Sequence, residues 1–336
     1  MINRRKIIVA LGAGAVARPI EIFAQGSAKT AQPAAAIPKI GVLWHAASEV
    51  EEAKFLAEVR RGLRDLGYVE GKNITLENRY PAEQPERFKS YAAELANLNV
   101  DVLVAVTSPA AMAAAQATSS IPVVILLVPD AVERKLVKSL GRPGGNVTGL
   151  SNLSPDISAK RLQMLKEAVP PLSRVAILIN PNNSSSQPGV DEIQTAAEKL
   201  KLTARVVEIR SAEEIETAFA SITQYRANGI ILLPDGLFYG QRARIASLAL
   251  KYRLPSMFTN SESVESGGLV SYGPNLNAVF YRTAYYVDKI LKGAKPAELP
   301  VEQPTKFDLA INTKTAKTLG LTIPTSLLIS ANRMIE

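Results

Sequence analysis

A chain of 336 residues, 47% apolar and 21% charged, is long enough for two ordinary globular domains with real cores. It has no cysteine and a single histidine, His45, which excludes a disulfide framework, a thiolate metal centre, a cysteine nucleophile and a lipid-modified N-terminal cysteine, and leaves a His-rich metal site without ligands. The formal charge of +8 is scattered, with no basic run outside the start, so these residues read as solvated faces and not as a nucleic-acid stripe.

In chain order, residues 1–24 read as an export signal. Arg4, Arg5 and Lys6 form a basic start, residues 7–17 are apolar, and small residues lead to a cleavage point after Ala24. Removing this segment would leave the mature chain at about +5. The Arg4-Arg5 pair is compatible with twin-arginine export, but the apolar pair that usually follows is missing, so the route stays open between the general and twin-arginine pathways. A rival reading takes Gly12 and Gly14 as a dinucleotide fingerprint and the chain as a nicotinamide-dependent oxidoreductase. That fingerprint needs an unbroken helix and an acid about twenty residues on. Arg18-Pro19 interrupts the helix, and residues 25–38 form an Ala/Pro-rich linker without an acid.

From residue 39 short β-branched runs alternate with helical stretches. Strands are expected at 39–43, 74–80, 100–106, 123–127, 147–150, 174–179, 204–209, 229–233, 256–258, 269–272 and 307–311. Helices are expected between them, at 51–66, 86–98, 110–118, 154–168, 190–201 and 213–224. Regular alternation predicts an α/β fold with doubly wound parallel sheets covered on both faces. The series breaks at the glycine- and proline-rich segment 141–146 and then restarts, which predicts two similar lobes. A second proline-rich stretch, 296–304, marks a late return between them. The expected division is 39–150 plus 276–304 for one lobe and 151–275 plus 305–336 for the other, with a ligand cleft between.

Ligands of open parallel sheets bind where strands end and helices begin. Of the loops at those points, the one at Thr107, Ser108 and Pro109 carries the strongest expectation. Ser108 suits an N-cap and Pro109 the first helical position, and the helix behind them has no charge. Its positive end is therefore left open to an anion such as a carboxylate. Asp130 and Asp235 each follow an apolar strand, as acceptors for a ligand ammonium or hydroxyl or as turn residues. Asn180 and Ser184 offer amide and hydroxyl contacts, as does Asn260. Trp44 is expected as an apolar wall and Tyr272 as a lining residue from the hinge side. His45 reads as a satisfied structural histidine, and Tyr281, Tyr285 and Tyr286 as packing.

Catalysis finds no constellation. A Ser-His-Asp enzyme would have to use His45, and neither a nucleophile elbow nor a phosphate-binding loop occurs in the sequence.

Taken in order, several short segments resemble one family. They are 40–43, the run from Leu63 through Gly67 and Tyr68 to Asn73, the run from Arg142 to Gly149, Ser271 to Gly273, 290–296, 299–304, and the tail from Ile311 to Pro324. The chain resembles, from Lys39 to Glu336, the ABC-transporter substrate-binding proteins that include tryptophan and tyrosine uptake components. The resemblance implies a type I periplasmic-binding fold, with two lobes joined by a multi-strand hinge. It also implies a monomeric exported protein in the periplasm that needs no cofactor, binds a small amino-acid-like ligand by hinge closure and hands it to an inner-membrane permease. A component that presents ligand to a signalling receptor would look the same. The resemblance places Thr107-Ser108-Pro109 at the family's carboxylate-binding turn and Asp235 at its acidic position in the second lobe. Gly236 after Asp235, and Ala131 with Glu133, Arg134 and Lys135 after Asp130, depart from the family pattern and put an aromatic amino acid in doubt as the ligand.

Overall fold

The computed structural model describes residues 37–129, 131–151, 156–183 and 185–336. The expected signal and most of the linker, together with Asp130 and Ser184, lie outside the described residues.

The first lobe begins with β1 (Lys39–Leu43), α1 (Glu49–Asp65), β2 (Thr75–Arg79) and α2 (Pro85–Asn97). It continues with β3 (Val102–Val106), α3 (Thr107–Ala117), β4 (Val123–Val128) and β5 (Val147–Ser151). These strands form one parallel sheet in the order β2-β1-β3-β4-β5. Strand β3 is buried at every position, as a central strand covered on both faces must be. On one face Phe55, Leu56 and Val59 of α1 pack over Ile40, Val42 and Val104. On the other, Phe88 and Leu95 of α2 and the alanines of α3 pack over Leu43, Leu103 and Ile125.

The second lobe opens with α4 (Asp156–Ala168), β6 (Arg174–Ile179), α5 (Ser186–Lys199), β7 (Thr203–Glu208) and α6 (Ile215–Gln224). It continues through β8 (Gly229–Leu232), α7 (Gly236–Gly240), α8 (Arg242–Lys251), β9 (Ser256–Phe258), α9 (Ser261–Glu265) and β10 (Val270–Pro274). The long helix α10 (Leu276–Leu291) then leaves this sheet and packs on the first lobe, against α1, β4 and β5. Gly62 permits the close crossing of α1 and α10: a Cβ there would lie 2.5 Å from the carbonyl oxygen of Tyr281 and 2.8 Å from Cβ of Ala284. The chain finishes back in the second lobe with β11 (Phe307–Asn312), α11 (Thr313–Leu319), α12 (Thr325–Ser330) and β12 (Arg333–Ile335).

The second sheet has the order β12-β11-β10-β9-β8-β6-β7. It is parallel except that β11 runs antiparallel to β10, a departure from the all-parallel expectation. The excursion through α10 brings the chain back from the other lobe, so β11 enters from the opposite end. Mixed sheets of this kind are common in doubly wound folds. No element past residue 311 was expected, because 312–336 is too short and too weakly periodic to announce two one- to two-turn helices and an edge strand.

Candidate functional site

The carboxyl ends of both sheets face a common cleft. His45 follows β1, Glu83 follows β2, and Thr107, Ser108 and Pro109 follow β3. From the second lobe come Asn183 after β6, Asp235 and Gly236 after β8, and Thr259 and Asn260 after β9. Helices supply the apolar wall: Phe55 from α1, Ile157 from α4, Tyr239 from α7, and Leu276 and Phe280 from α10. The cleft combines this apolar wall with a few convergent polar groups from both lobes, the usual make-up of a small-molecule site.

The lobes touch across this cleft. The Ser108 and Ser185 hydroxyls are 3.0 Å apart, and the Arg134 guanidinium donates to Ser185 Oγ at 2.6 Å. Lys54 of α1 pairs with the buried Glu262 of α9 at 2.7 Å. The Phe55 and Tyr239 rings lie 5.6 Å apart, centroid to centroid. At Gly236 the contact is tighter still, since a Cβ there would sit 1.8 Å from Glu83 Oε1 and 2.8 Å from His45 Nδ1.

The expected ligand residues fall into three groups. Thr107, Ser108, Pro109, Asp235 and Asn260 all line the cleft. Ser108 does not cap α3, because the helix already begins at Thr107 with no side-chain cap, and the serine hydroxyl turns instead to Ser185. The Thr107 Oγ1 is buried and without a partner, on a residue with φ of 76°. A non-glycine residue there is strained, and such strain gathers at functional sites. The first turn of α3 carries no acid. Asn180 supports the site from behind, donating to Asp235 Oδ1 at 3.2 Å. Asp235 also accepts from Asn183 and from the Leu237 N–H, so it serves as the N-cap of α7. Burial, reinforced by the neighbouring Glu83, pushes its carboxyl up to about 6.

Two expected lining residues lie elsewhere. Trp44 is 0% exposed, stacked between Tyr80 and Phe280, with its indole N–H donating to Asn78 Oδ1 at 2.8 Å. It points into the core of the first lobe because the first residue past β1 keeps the strand's inward alternation. Tyr272 packs its ring against Phe307 and meets the site only through its carbonyl. Trp44 is the only tryptophan, so its emission should be blue-shifted and resist acrylamide. Quenching at the rate of an exposed indole would contradict this placement.

His45 was expected to be structural, and it is fully paired, yet it also lines the cleft. Its Nδ1 is 2.8 Å from Glu83 Oε1 and its Nε2 is 3.1 Å from Glu52 Oε1. Burial alone would lower its pKa, but Glu52, Glu83 and Asp235 together raise it to about 9, so the ring is an imidazolium, hydrogen-bonded to Glu83 and ion-paired with Glu52. Burial raises the pKa of Glu52, an effect the histidine opposes. Arg161 was not anticipated. It sits on the apolar stripe of α4 shared with Ser158, Leu162, Leu165 and Ala168, and a charge interrupting such a stripe was the available signal.

Residues 50–335 match the model of a family described as ABC transporter substrate binding protein. A tyrosine-binding protein of Clostridioides difficile is 27% identical over 279 residues, covering 82% of this chain and 80% of its own. A domain from Streptococcus pneumoniae solved with L-Trp is 28% identical, with a TM-score of 0.82 over 89% of this chain and 99% of that one. A ligand-free, open substrate-binding protein from Clostridium difficile is 25% identical with equal coverage, and its TM-score is 0.65. At nearly equal identity the chain superposes better on the ligand-bound relative than on the open one, in keeping with the contacts across its cleft.

Proposed function

The chain belongs to the family of ABC transporter substrate-binding proteins, and from that premise we propose that it is the exported binding component of an importer. In this reading it closes on a small, carboxylate-bearing, amino-acid-like ligand and presents the closed form to an inner-membrane permease. The supporting observation is the cleft itself, lined from both lobes and bridged at Ser108–Ser185 and Phe55–Tyr239. A ligand that touches both lobes stabilises the closed arrangement by its differential affinity for it. The open start of α3 and the free Thr107 hydroxyl supply the first lobe's contact for a carboxylate. Tryptophan and tyrosine, the ligands of the relatives, belong in any panel of candidates.

Titrating the mature chain with amino acids and small carboxylates, by calorimetry and thermal shift, tests the proposal. At least one compound should bind saturably and raise the melting temperature, and failure of the whole panel would sink the reading. Thr107→Val should weaken a carboxylate ligand by about tenfold, the worth of a hydrogen bond to a charged group. Unchanged affinity would remove Thr107 from the site. N-terminal sequencing of periplasmic protein should begin near Gln25, whereas an intact Met1 in the cytoplasm would refute export.

A further inference from the structure

The second lobe contributes to the cleft a charge that the protein leaves without a counter-ion. Arg161 of α4 is 1% exposed, yet it lines the cleft. Its Nε donates to the carbonyl oxygen of Tyr272 at 2.6 Å, which fixes the plane of the guanidinium. Its Nη1 is buried and has no hydrogen-bond partner. Among the described residues no carboxylate pairs with Arg161, although eleven other basic side chains, His45 included, stand in ion pairs with an acid.

Burial lowers the pKa of this arginine to about 10, which leaves it charged at neutral pH. A buried, unpaired charge is among the least favourable things a fold can contain. Arginine retains its charge where lysine would shed it, and its rigid fork matches a carboxylate in bidentate fashion. The other cleft lining contributed by its own helix and by the residues that follow Gly273, among them Ile157, Ser158, Pro274, Leu276 and Phe280, carries no charge. Gly273 lies directly beside the fork, its would-be Cβ 3.4 Å from Nη2, and glycine is needed there by the Thr259 carbonyl oxygen, which a Cβ would meet at 1.8 Å.

We infer that Arg161 is a second acid receptor of the cleft, so that the preferred ligand carries two acidic groups, one on Arg161 and one at the start of α3. This rests on the proposed binding function and specifies its substrate class as small diacids, amino-dicarboxylic acids included. The two receptors stand on opposite lobes, so a diacid bridges them and draws the cleft shut. The apolar wall between them holds the carbon skeleton. A ligand with one acid and a neutral tail would leave the guanidinium buried and unpaired in the closed form.

Matched pairs that differ only by acid against amide test the inference. The probes are glutarate with glutaramate, L-glutamate with L-glutamine, and terephthalate with 4-carbamoylbenzoate, titrated calorimetrically into the mature protein. At least one diacid should bind ten-fold or more tighter than its half-amide. Arg161→Gln keeps a donor for the Tyr272 carbonyl but removes the charge, and should abolish that preference while leaving the half-amide within about threefold. If the glutamine variant does not fold, Arg161→Lys, which keeps charge without the fork, should reduce the preference severalfold. A preference that is absent in the native protein, or that survives both substitutions, would overturn the inference. Tight binding of tyrosine, tryptophan or the half-amides, unaffected at Arg161, would overturn it while leaving the proposed function intact. Binding of none of the panel would overturn both.

Discussion

Gly236→Val should produce a protein that folds normally and captures ligand at least a hundredfold more weakly. Position 236 begins α7 on the second lobe, and its backbone does not require glycine, since its φ is not among the positive values. In the open arrangement a valine there would point into the cleft. In the closed arrangement its Cβ alone would lie 1.8 Å from Glu83 Oε1 and 2.8 Å from His45 Nδ1. Glu83 can swing away only by giving up its 2.8 Å contact with the histidine, and the branched side chain would still meet the ring. Holding the lobes apart by roughly 3 kcal/mol corresponds to about a hundredfold in apparent affinity. Gly240, with nothing within 4 Å of its would-be Cβ, is the control, and Gly240→Ala should bind within twofold of the native chain. Calorimetry together with small-angle scattering reads both effects. Native affinity in the valine variant would show that closure does not need this contact.

His45→Ala should cost roughly 3–5 kcal/mol of stability, the penalty for stranding one partner of a buried ion pair. Glu52 is fully buried, and among the described residues the histidine is its only close counter-charge. The native protein should also show a characteristic pH dependence. The His45 pKa is raised from 6.5 to about 9 in the folded chain, so its stabilising contribution is complete below about pH 6.5 and is lost as pH rises through 9. Asp235, raised to about 6, follows the same sign at lower pH, its contribution fading between about 4 and 6. The melting temperature should therefore fall from pH 6.5 to 9, by an amount equivalent to roughly 3 kcal/mol at most. In His45→Ala, Glu52 must be protonated to remain buried, so the variant's deficit should grow as pH rises out of the acid range and shrink through pH 9, where the native histidine also gives up its proton. A variant as stable as the native chain at pH 8 would show that the histidine is not neutralising Glu52.

Much of the fold was legible because parallel strands buried on both faces read as short apolar runs, as in 102–106 and 174–179. The restart after the glycine-rich segment 141–146 announced a second lobe for the same reason. What stayed hidden depended on non-local pairing. That β11 runs antiparallel to β10 follows from the route through α10 and leaves no mark in the strand itself. Within the site, the strand-end rule found Thr107, Ser108, Asp235 and Asn260, since residues past a parallel strand reach the cleft wherever it forms. It misplaced Trp44, which retains the inward phase of β1, and Tyr272, which turns toward β11. Glu52, Phe55 and Arg161 escaped because they lie within helices, where a single charge on an apolar stripe acquires meaning only when the opposite lobe is in place. Gly236 stood out as a departure from the family pattern, but its closeness to Glu83 belongs to the closed form alone.

The path of α10 has a consequence for how the protein is made. The helix follows the last parallel strand of the second lobe, yet Val279, Phe280, Ala284 and Val287 complete the apolar face of the first, meeting α1 at Gly62. A chain emerging from the ribosome or a translocation pore therefore reaches residue 151 with one face of its first sheet covered only in part, by α1. The rest of that face waits for α10 until more than a hundred further residues have followed, so the first lobe is completed only after most of the second has been made. Truncation after 151 should yield an insoluble fragment, while a chain ending just past 291 would contain everything the first sheet needs on that side. Such an order leaves the first lobe incomplete until late in synthesis.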